Sequence, residues 1–90
     1  MYYVYILFSE LDQQLYTGFC DDLKIRFDKH KKGFVKATKH RRPLKLIYYE
    51  SYTEELDARR REKYLKGGNG RGELKVQLKE ILTKLKYKNI

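Results

Sequence analysis

Four side chains in the first third of the chain are of types that suit chemistry at a phosphate group: Tyr5, Tyr16, Arg26 and His30. Arg26 and His30 are four residues apart in a segment with helical patterning, so both side chains point to the same side of that helix. A planar guanidinium suits phosphate oxygens, and an imidazole can accept a proton near neutral pH. Each residue also has an ordinary structural explanation, because the tyrosines could pack in a sheet, His30 in a core and Arg26 in a surface ion pair.

Glu62 is the carboxylate whose position most needs an explanation. It lies between Ala58 and Leu65 at helical spacing, which predicts that it occupies the middle of the apolar side of a helix. Burial there is unfavourable for a carboxylate unless a cation meets it. That cation could be a metal ion or a neighbouring arginine among residues 59–61. The chain has no CxxC motif, no HExxH motif and no zinc-ligand spacing, which excludes the commonest zinc sites.

The charge of the chain favours a polyanionic partner, and nucleic acid is the commonest one. The sequence contains 21 Lys+Arg against 12 Asp+Glu, with a net charge of +9 and a pI near 9.7. Residues 34–43 form a basic connector without a single acid. We expect this connector to contact phosphates, although a solvated loop is the alternative. Its predicted nucleic-acid-binding residues are Lys36, Lys39, Arg41 and Arg42.

Cysteine usage and hydropathy bear on the compartment. Cys20 is the only cysteine, so the chain cannot form an intrachain disulfide, which fits a reducing cytosol. The apolar run 2–8 is too short for a bilayer span or a secretory signal. We therefore expect a cytoplasmic protein without a membrane partner.

Hydrophobic patterning predicts an α+β fold, with a three-stranded antiparallel sheet flanked by helices in the order β-β-α-β-α-α. Residues 1–90 are short enough to form a single domain. The predicted strands are 2–8, 15–19 and 44–49. The first helix starts after Asp21 or Asp22 and ends near Gly33, and the second starts at Thr53. Residues 67–72 are glycine-rich and predict a flexible turn, followed by one last helix from Glu73 to Lys86.

Short motifs in this order resemble the GIY-YIG endonuclease family, and in particular its small standalone bacterial members. The motifs are Tyr3-Val4-Tyr5, Tyr16-Thr17-Gly18, Arg26, His30 and the stretch Arg61-Glu62-Lys63-Tyr64-Leu65-Lys66. Each fragment is weak alone, but their order and spacing over residues 2–66 form a specific signal. Tyr3 replaces the glycine of the first motif, and Phe19 stands where some relatives carry a lysine. The asparagine found late in some relatives has only Asn69 as a candidate counterpart.

The resemblance implies hydrolysis of phosphodiester bonds with one divalent ion, Mg²⁺ or Mn²⁺, held by Glu62. It implies that Arg26 stabilises charge on the phosphoryl oxygens and that a tyrosine activates the attacking water, with His30 assisting. We rank Tyr5 ahead of Tyr16 as that tyrosine. An ordinary phenol has a pKa of about 10, so its ionisation at neutral pH costs about 4 kcal/mol without help.

The predicted function is therefore a metal-dependent DNA endonuclease, either structure-selective or of low specificity. DNA is favoured over RNA, and a partner protein could supply targeting because the chain shows no separate targeting segment. One alternative is a catalytically inactive nucleic-acid-binding or accessory module of the same fold. A basic protein–protein adaptor is the third hypothesis.

Overall fold

The computed structural model describes residues 1–87 and contains a three-stranded antiparallel sheet with helices on both faces. The elements are β1 (Tyr2–Ser9), β2 (Leu15–Cys20), α1 (Leu23–Lys31), β3 (Leu44–Tyr52), α2 (Glu55–Lys66), α3 (Gly68–Gln77) and α4 (Lys79–Lys84), with a 3₁₀ turn at Lys39–Arg41. The strand order is β2-β1-β3, so β1 is central and β2 lies at an edge. The predicted α+β class with its antiparallel sheet is confirmed.

The central strand β1 divides the interior into two layers, because successive side chains point to opposite faces of the sheet. Val4, Ile6 and Phe8 pack with residues of α2, α3 and α4. Tyr5 and Leu7 point to the other face, where apolar residues of α1 pack against them. The continuous apolar run of β1 is therefore explained by burial on both sides.

The start and end of α1 follow the sequence signals. The Asp22 side chain accepts a hydrogen bond from the Ile25 backbone N–H at 3.1 Å and caps the first turn. Gly33 adopts φ +80°, the left-handed conformation that commonly terminates a helix. These two ends fix the position of α1 and therefore the direction in which Arg26 and His30 project.

The glycine-rich segment was predicted to be a flexible turn, and that prediction is wrong. Only Gly67 is extended, and α3 begins at Gly68. Gly70 is buried where α3 crosses α2, and a Cβ atom there would collide with the Tyr64 carbonyl oxygen. Close helix packing thus outweighs the low helix propensity of glycine.

The predicted last helix is also interrupted. Leu78 leaves helical geometry with φ −107° and ψ 23°, so the segment forms α3 and α4 instead of one helix from Glu73 to Lys86. The element order is consequently β-β-α-β-α-α-α. Among residues 1–87, none of the helices combines the length and the apolar character that crossing a bilayer requires.

Candidate active site

Tyr5 extends from the central strand across its neighbour β2. Tyr5 pairs with Gly18 in the antiparallel ladder. A Cβ atom on Gly18 would overlap the Tyr5 ring, so only glycine lets the phenol lie this close to the β2 backbone. The glycine of the Tyr16-Thr17-Gly18 motif therefore has a steric role, since it makes room for the tyrosine of the first motif.

Helix α1 brings Arg26 and His30 to the Tyr5 hydroxyl. The Tyr5 oxygen lies 2.7 Å from Nε2 of His30. Arg26 donates from Nε to the same oxygen at 3.3 Å. The predicted i, i+4 pair thus converges on one atom, with Tyr5 and His30 fully buried and Arg26 half-buried.

Thr38 completes this cluster from the connector between α1 and β3. Its hydroxyl lies 2.7 Å from Nδ1 of His30, and the residue is fully buried. Arg26 donates to the Tyr5 oxygen, and we assign the Tyr5 hydroxyl as the donor to Nε2 of His30 and the His30 Nδ1–H as the donor to Thr38. This tautomer is assigned from the hydrogen-bond pattern. Sequence reasoning missed Thr38, which carries no motif and lies in a segment read only for its charge.

Tyr16 lies beside this buried chain of hydrogen bonds. Its ring centroid is 5.3 Å from the His30 ring and 6.4 Å from the Tyr5 ring. Tyr16 is half-buried, and its hydroxyl has no hydrogen-bond partner within residues 1–87. Of the two tyrosines, Tyr16 is therefore the one whose hydroxyl can meet water.

The protonation states follow from burial and from the one fixed charge. Burial raises the pKa of Tyr5 to about 12, and the hydrogen bond from Arg26 only partly opposes it. Burial, together with the nearby Arg26 charge, lowers the pKa of His30 to about 4. The hydrogen bond to Tyr5 raises the pKa of Arg26. At neutral pH the cluster therefore contains a neutral phenol, a neutral imidazole and a guanidinium cation.

Glu62 is not part of this hydrogen-bonded cluster. Its helix α2 packs on β1 and β2, with Ala58 and Leu65 in the layer opposite Tyr5. The Glu62 side chain is 20% exposed and pairs with Lys66 at 2.9 Å. The expected alternative of an arginine partner is not observed, since Arg59, Arg60 and Arg61 all pair with other acids. The role of Glu62 as a metal ligand stays a prediction.

A metal site here would have to use few protein ligands. Within the part of the chain that the structure describes, no three His, Cys, Asp or Glu residues are grouped so that they could hold a metal ion. Mg²⁺ commonly keeps several waters and binds through one or two carboxylates plus substrate phosphate. A single carboxylate such as Glu62 fits that kind of site and does not fit an all-protein cage.

The basic connector is anchored to the rest of the fold more firmly than a solvated loop. Arg41 donates from Nε to Asp12 at 2.7 Å and from its terminal nitrogen to the Leu15 carbonyl, and this ion pair lowers the pKa of Asp12. Arg42 packs over Gly33 and donates to backbone carbonyls of Lys31 and Lys39. Lys36 and Lys39 are exposed. Contact of these four residues with nucleic acid stays a prediction.

Comparison with known proteins identifies the family of the chain. The family model of the GIY-YIG catalytic domain matches residues 1–75. The chain belongs to the GIY-YIG family. The matched range contains the hydrogen-bonded residues that we call the Tyr5 cluster, and also Tyr16 and Glu62. The members of the Tyr5 cluster are Tyr5, Arg26, His30 and Thr38.

The similar GIY-YIG relatives are small bacterial proteins named UPF0213. One from Clostridium perfringens is 42% identical over 67 residues, which is 73% of this chain and 71% of the relative. One from Staphylococcus epidermidis is 40% identical over 76 residues, with 83% and 92% covered. One from Staphylococcus aureus is 41% identical over 66 residues, with 72% and 79% covered. No solved structure matches the chain significantly.

Membership in the GIY-YIG family implies a nuclease-type hydrolase with a nucleic-acid substrate. GIY-YIG nucleases generally use divalent metals. The predicted class of protein, a nuclease-type hydrolase, agrees with this family membership.

Proposed function

We propose that this protein is an endonuclease that uses Mg²⁺ or Mn²⁺ to hydrolyse phosphodiester bonds in DNA. The observation that carries the proposal is the convergence of Arg26, His30 and the Tyr5 hydroxyl beside the Tyr16 ring. This arrangement places a cation and an unpartnered phenol next to a dry hydrogen-bonded chain.

Tyr16 is the better candidate for contact with the attacking water. Tyr5 is fully buried, and a phenol with a pKa near 12 costs about 7 kcal/mol to ionise at pH 7. Tyr5 therefore acts as a positioning residue that connects Arg26 to His30. The half-buried Tyr16 hydroxyl can hydrogen-bond a water and help to remove its proton. This assignment reverses the ranking of the two tyrosines made from the sequence.

Arg26 is suited to bind and stabilise the reacting phosphate. Its Nε is engaged with Tyr5, which fixes the plane of the guanidinium, while the side chain remains half-buried at the surface. The remaining N–H groups can donate to phosphoryl oxygens as negative charge accumulates there. The neutral His30 accepts the hydrogen bond of the Tyr5 hydroxyl and adds no second positive charge next to Arg26.

Glu62 would hold the divalent ion, which supplies Lewis-acid stabilisation of phosphate charge when bound. For that role the carboxylate must exchange its ion pair with Lys66, whose side chain is exposed. An i, i+4 pair on a helix contributes about 0.3–0.5 kcal/mol, so a divalent ion can displace it.

DNA is the proposed substrate, cleaved with low sequence specificity or by recognition of its structure, and a partner protein could direct it. The exposed Lys36 and Lys39, together with Arg41 and Arg42, would contact the phosphate backbone. The cytoplasm is the proposed location because the single buried cysteine needs no oxidising compartment.

Incubation of supercoiled plasmid with the protein and Mg²⁺ or Mn²⁺ tests the proposal. We expect nicking that a chelator stops. Glu62→Gln should abolish nicking and leave plasmid binding intact, whereas the control Glu80→Gln, an exposed glutamate of α4, should nick normally. Equal loss of binding and nicking in Glu62→Gln would contradict the metal-ligand role. A panel of nicked, flapped, branched and single-stranded substrates would then define structural preference.

The Lys66 ion pair favours a second candidate function. The Glu62 carboxylate is already paired with Lys66 and makes no contact with the Tyr5 cluster. This arrangement suits a nucleic-acid-binding module that has lost activity. That module would bind plasmid without nicking it at any metal concentration, with affinity falling steeply as salt rises. Activity of the wild-type protein would exclude this alternative, and salt-independent binding would favour a protein–protein adaptor.

A further inference from the structure

An open groove of mainly apolar character lies beside α1, on the face of the sheet that carries Tyr5. Its apolar lining includes residues of β1, α1, the connector and β3: Tyr3, Ile25, Phe27, Phe34, Leu46 and Tyr49. Phe34 is 73% exposed, Ile25 55% and Tyr49 53%. Three large apolar side chains this exposed in one groove form a patch that folding alone does not explain. We call these six residues the aromatic groove.

The charges around the aromatic groove favour an anionic occupant. Lys24, Lys29 and Lys31 lie along it, and none of them forms an ion pair within residues 1–87. Of the three acids at the groove, Asp28 is paired with Lys32 and Asp22 caps α1. Asp21 and Asp22 therefore remain to offset three lysines, which leaves the rim with a small positive balance.

The aromatic groove continues toward the candidate active site. A second, smaller groove next to it shares Asp21, Asp22, Ile25 and Lys29 and is also lined by Arg26. Arg26 is the residue that donates to Tyr5. A chain lying across the N-terminal half of α1 would therefore run from the aromatic groove to the guanidinium that we assign to the reacting phosphate.

We infer that the aromatic groove binds unpaired bases of a single-stranded nucleic acid, with the lysines on its backbone phosphates. The direction of the bound strand in this inference rests on the proposed function. The substrate class that follows is a nucleic acid with a single-stranded segment. Exposed rings combined with lysines are the two components that bind single strands without reading sequence. A duplex keeps its bases stacked inside and offers only phosphates to such a surface.

Binding without catalysis tests the inference. Fluorescence anisotropy in chelator-containing buffer would compare oligothymidine, an abasic strand and a duplex, each of about 20 nucleotides, a length that exceeds the site of a single binding fold. Phe34→Ala and Tyr49→Ala should each weaken oligothymidine binding about tenfold, because a lost base–ring stack has about that effect. Affinity for the duplex and for the abasic strand, and the salt dependence, should not change.

Two kinds of control variant separate stacking from charge and from general hydrophobic loss. Leu56→Ala and Val76→Ala remove equally exposed apolar side chains outside the groove and should not affect binding. Lys31→Ala should instead reduce the slope of log affinity against log salt by about 0.7, the value for one phosphate of a single strand.

Other outcomes would overturn the inference. An equal loss for oligothymidine, abasic strand and duplex would mean that the rings do not contact bases. Dissociation of a wild-type dimer by Phe34→Ala in sedimentation would show that a second copy occupies the groove. These binding assays contain no metal and do not depend on catalysis. If plasmid nicking fails, that result contradicts the proposed function, and the binding assays still test the aromatic groove.

Discussion

Two buried polar clusters on opposite faces of the sheet differ in how completely their groups are satisfied. Glu50 of β3 accepts hydrogen bonds from two Arg61 nitrogens and from the hydroxyls of Tyr48 and Tyr52, at 2.6–3.0 Å. Four donors use the four acceptor positions of a carboxylate. On the other face, the buried residues of the Tyr5 cluster are uncharged. Arg26 and the neighbouring Tyr16 reach the surface.

This difference separates a structural network from a chemical one. Burial opposes ionisation of Glu50, but the hydrogen bonds from Arg61 and the two tyrosines outweigh it and hold the pKa of that carboxyl below its ordinary value. Arg61 also reaches Glu73 of α3, so the Glu50 cluster ties β3 to two helices. It leaves no position for a ligand. In the Tyr5 cluster, the other N–H groups of Arg26 remain available to a ligand.

The largest effect that would sharpen this comparison is expected for Arg26→Ala. Loss of a cation directed at developing phosphate charge should slow plasmid nicking about 100- to 1000-fold. The free energy of unfolding in urea should change little, because Arg26 contributes only one long hydrogen bond at 3.3 Å. Arg60→Ala, which removes an exposed arginine of α2, is the control. Large destabilisation by Arg26→Ala would place Arg26 with the structural residues instead.

Glu50→Gln should show the opposite pattern. Removing the charge leaves Arg61 partly buried without its main partner, which should lower the free energy of unfolding by about 3 kcal/mol. The nicking rate per folded molecule should stay near that of the wild type. Glu10→Gln, which removes an exposed pair with Lys45, should cost less than about 1 kcal/mol. A Glu50→Gln protein that is stable but inactive would break the comparison.

The two tyrosines should respond differently to loss of the hydroxyl. Tyr16→Phe should reduce nicking about 100-fold, as for loss of a group that handles a proton, with unchanged stability. Tyr5→Phe leaves His30 Nε2 buried without its partner and should also lower the free energy of unfolding by about 1–3 kcal/mol. Nicking rates and urea unfolding, measured on the same samples, distinguish the two variants. Full activity of Tyr16→Phe would return the water-contacting role to Tyr5.

The smallest predicted effect is the contribution of His30 to the pH dependence of stability at moderately acidic pH. The folded pKa of His30 is about 4, below its unfolded value near 6.5, so the unfolded chain binds more protons between these values. Stability should therefore fall as pH decreases from 6.5, by about 2 kcal/mol at pH 5. His30→Gln should flatten this dependence. His40→Gln, which changes an exposed histidine, should not.

The sequence predicted those elements whose signals are local. The apolar run of β1, the Asp22 cap and Gly33 at the end of α1 all depend on neighbouring residues, and the structure confirms them. The course of residues 67–72 depended on a distant contact, the fit of Gly70 against α2. The third strand, predicted over 44–49 with its end near Glu50 and Ser51, extends to Tyr52, whose hydroxyl donates to Glu50.

The candidate site shows the same division. The shared direction of Arg26 and His30 follows from their spacing, and the motif order indicated that Tyr5 and Tyr16 lie near them. The contact between Thr38 and His30 could not be predicted from the sequence, because it depends on how the connector folds back onto α1. The anchoring of Arg41 on Asp12 was hidden for the same reason, since its partner lies 29 positions away in the chain.

The ion pair between Asp12 and Arg41 has an effect beyond its own two residues. Arg41 donates its backbone N–H to the Thr38 carbonyl, so the turn that presents the threonine hydroxyl is held against the β1–β2 hairpin. The hydrogen bond that orients the His30 ring thus depends in part on an ion pair outside the Tyr5 cluster. A replacement of Asp12 would therefore be expected to shift the Thr38 hydroxyl, and with it the His30 ring, without changing any residue of the cluster itself.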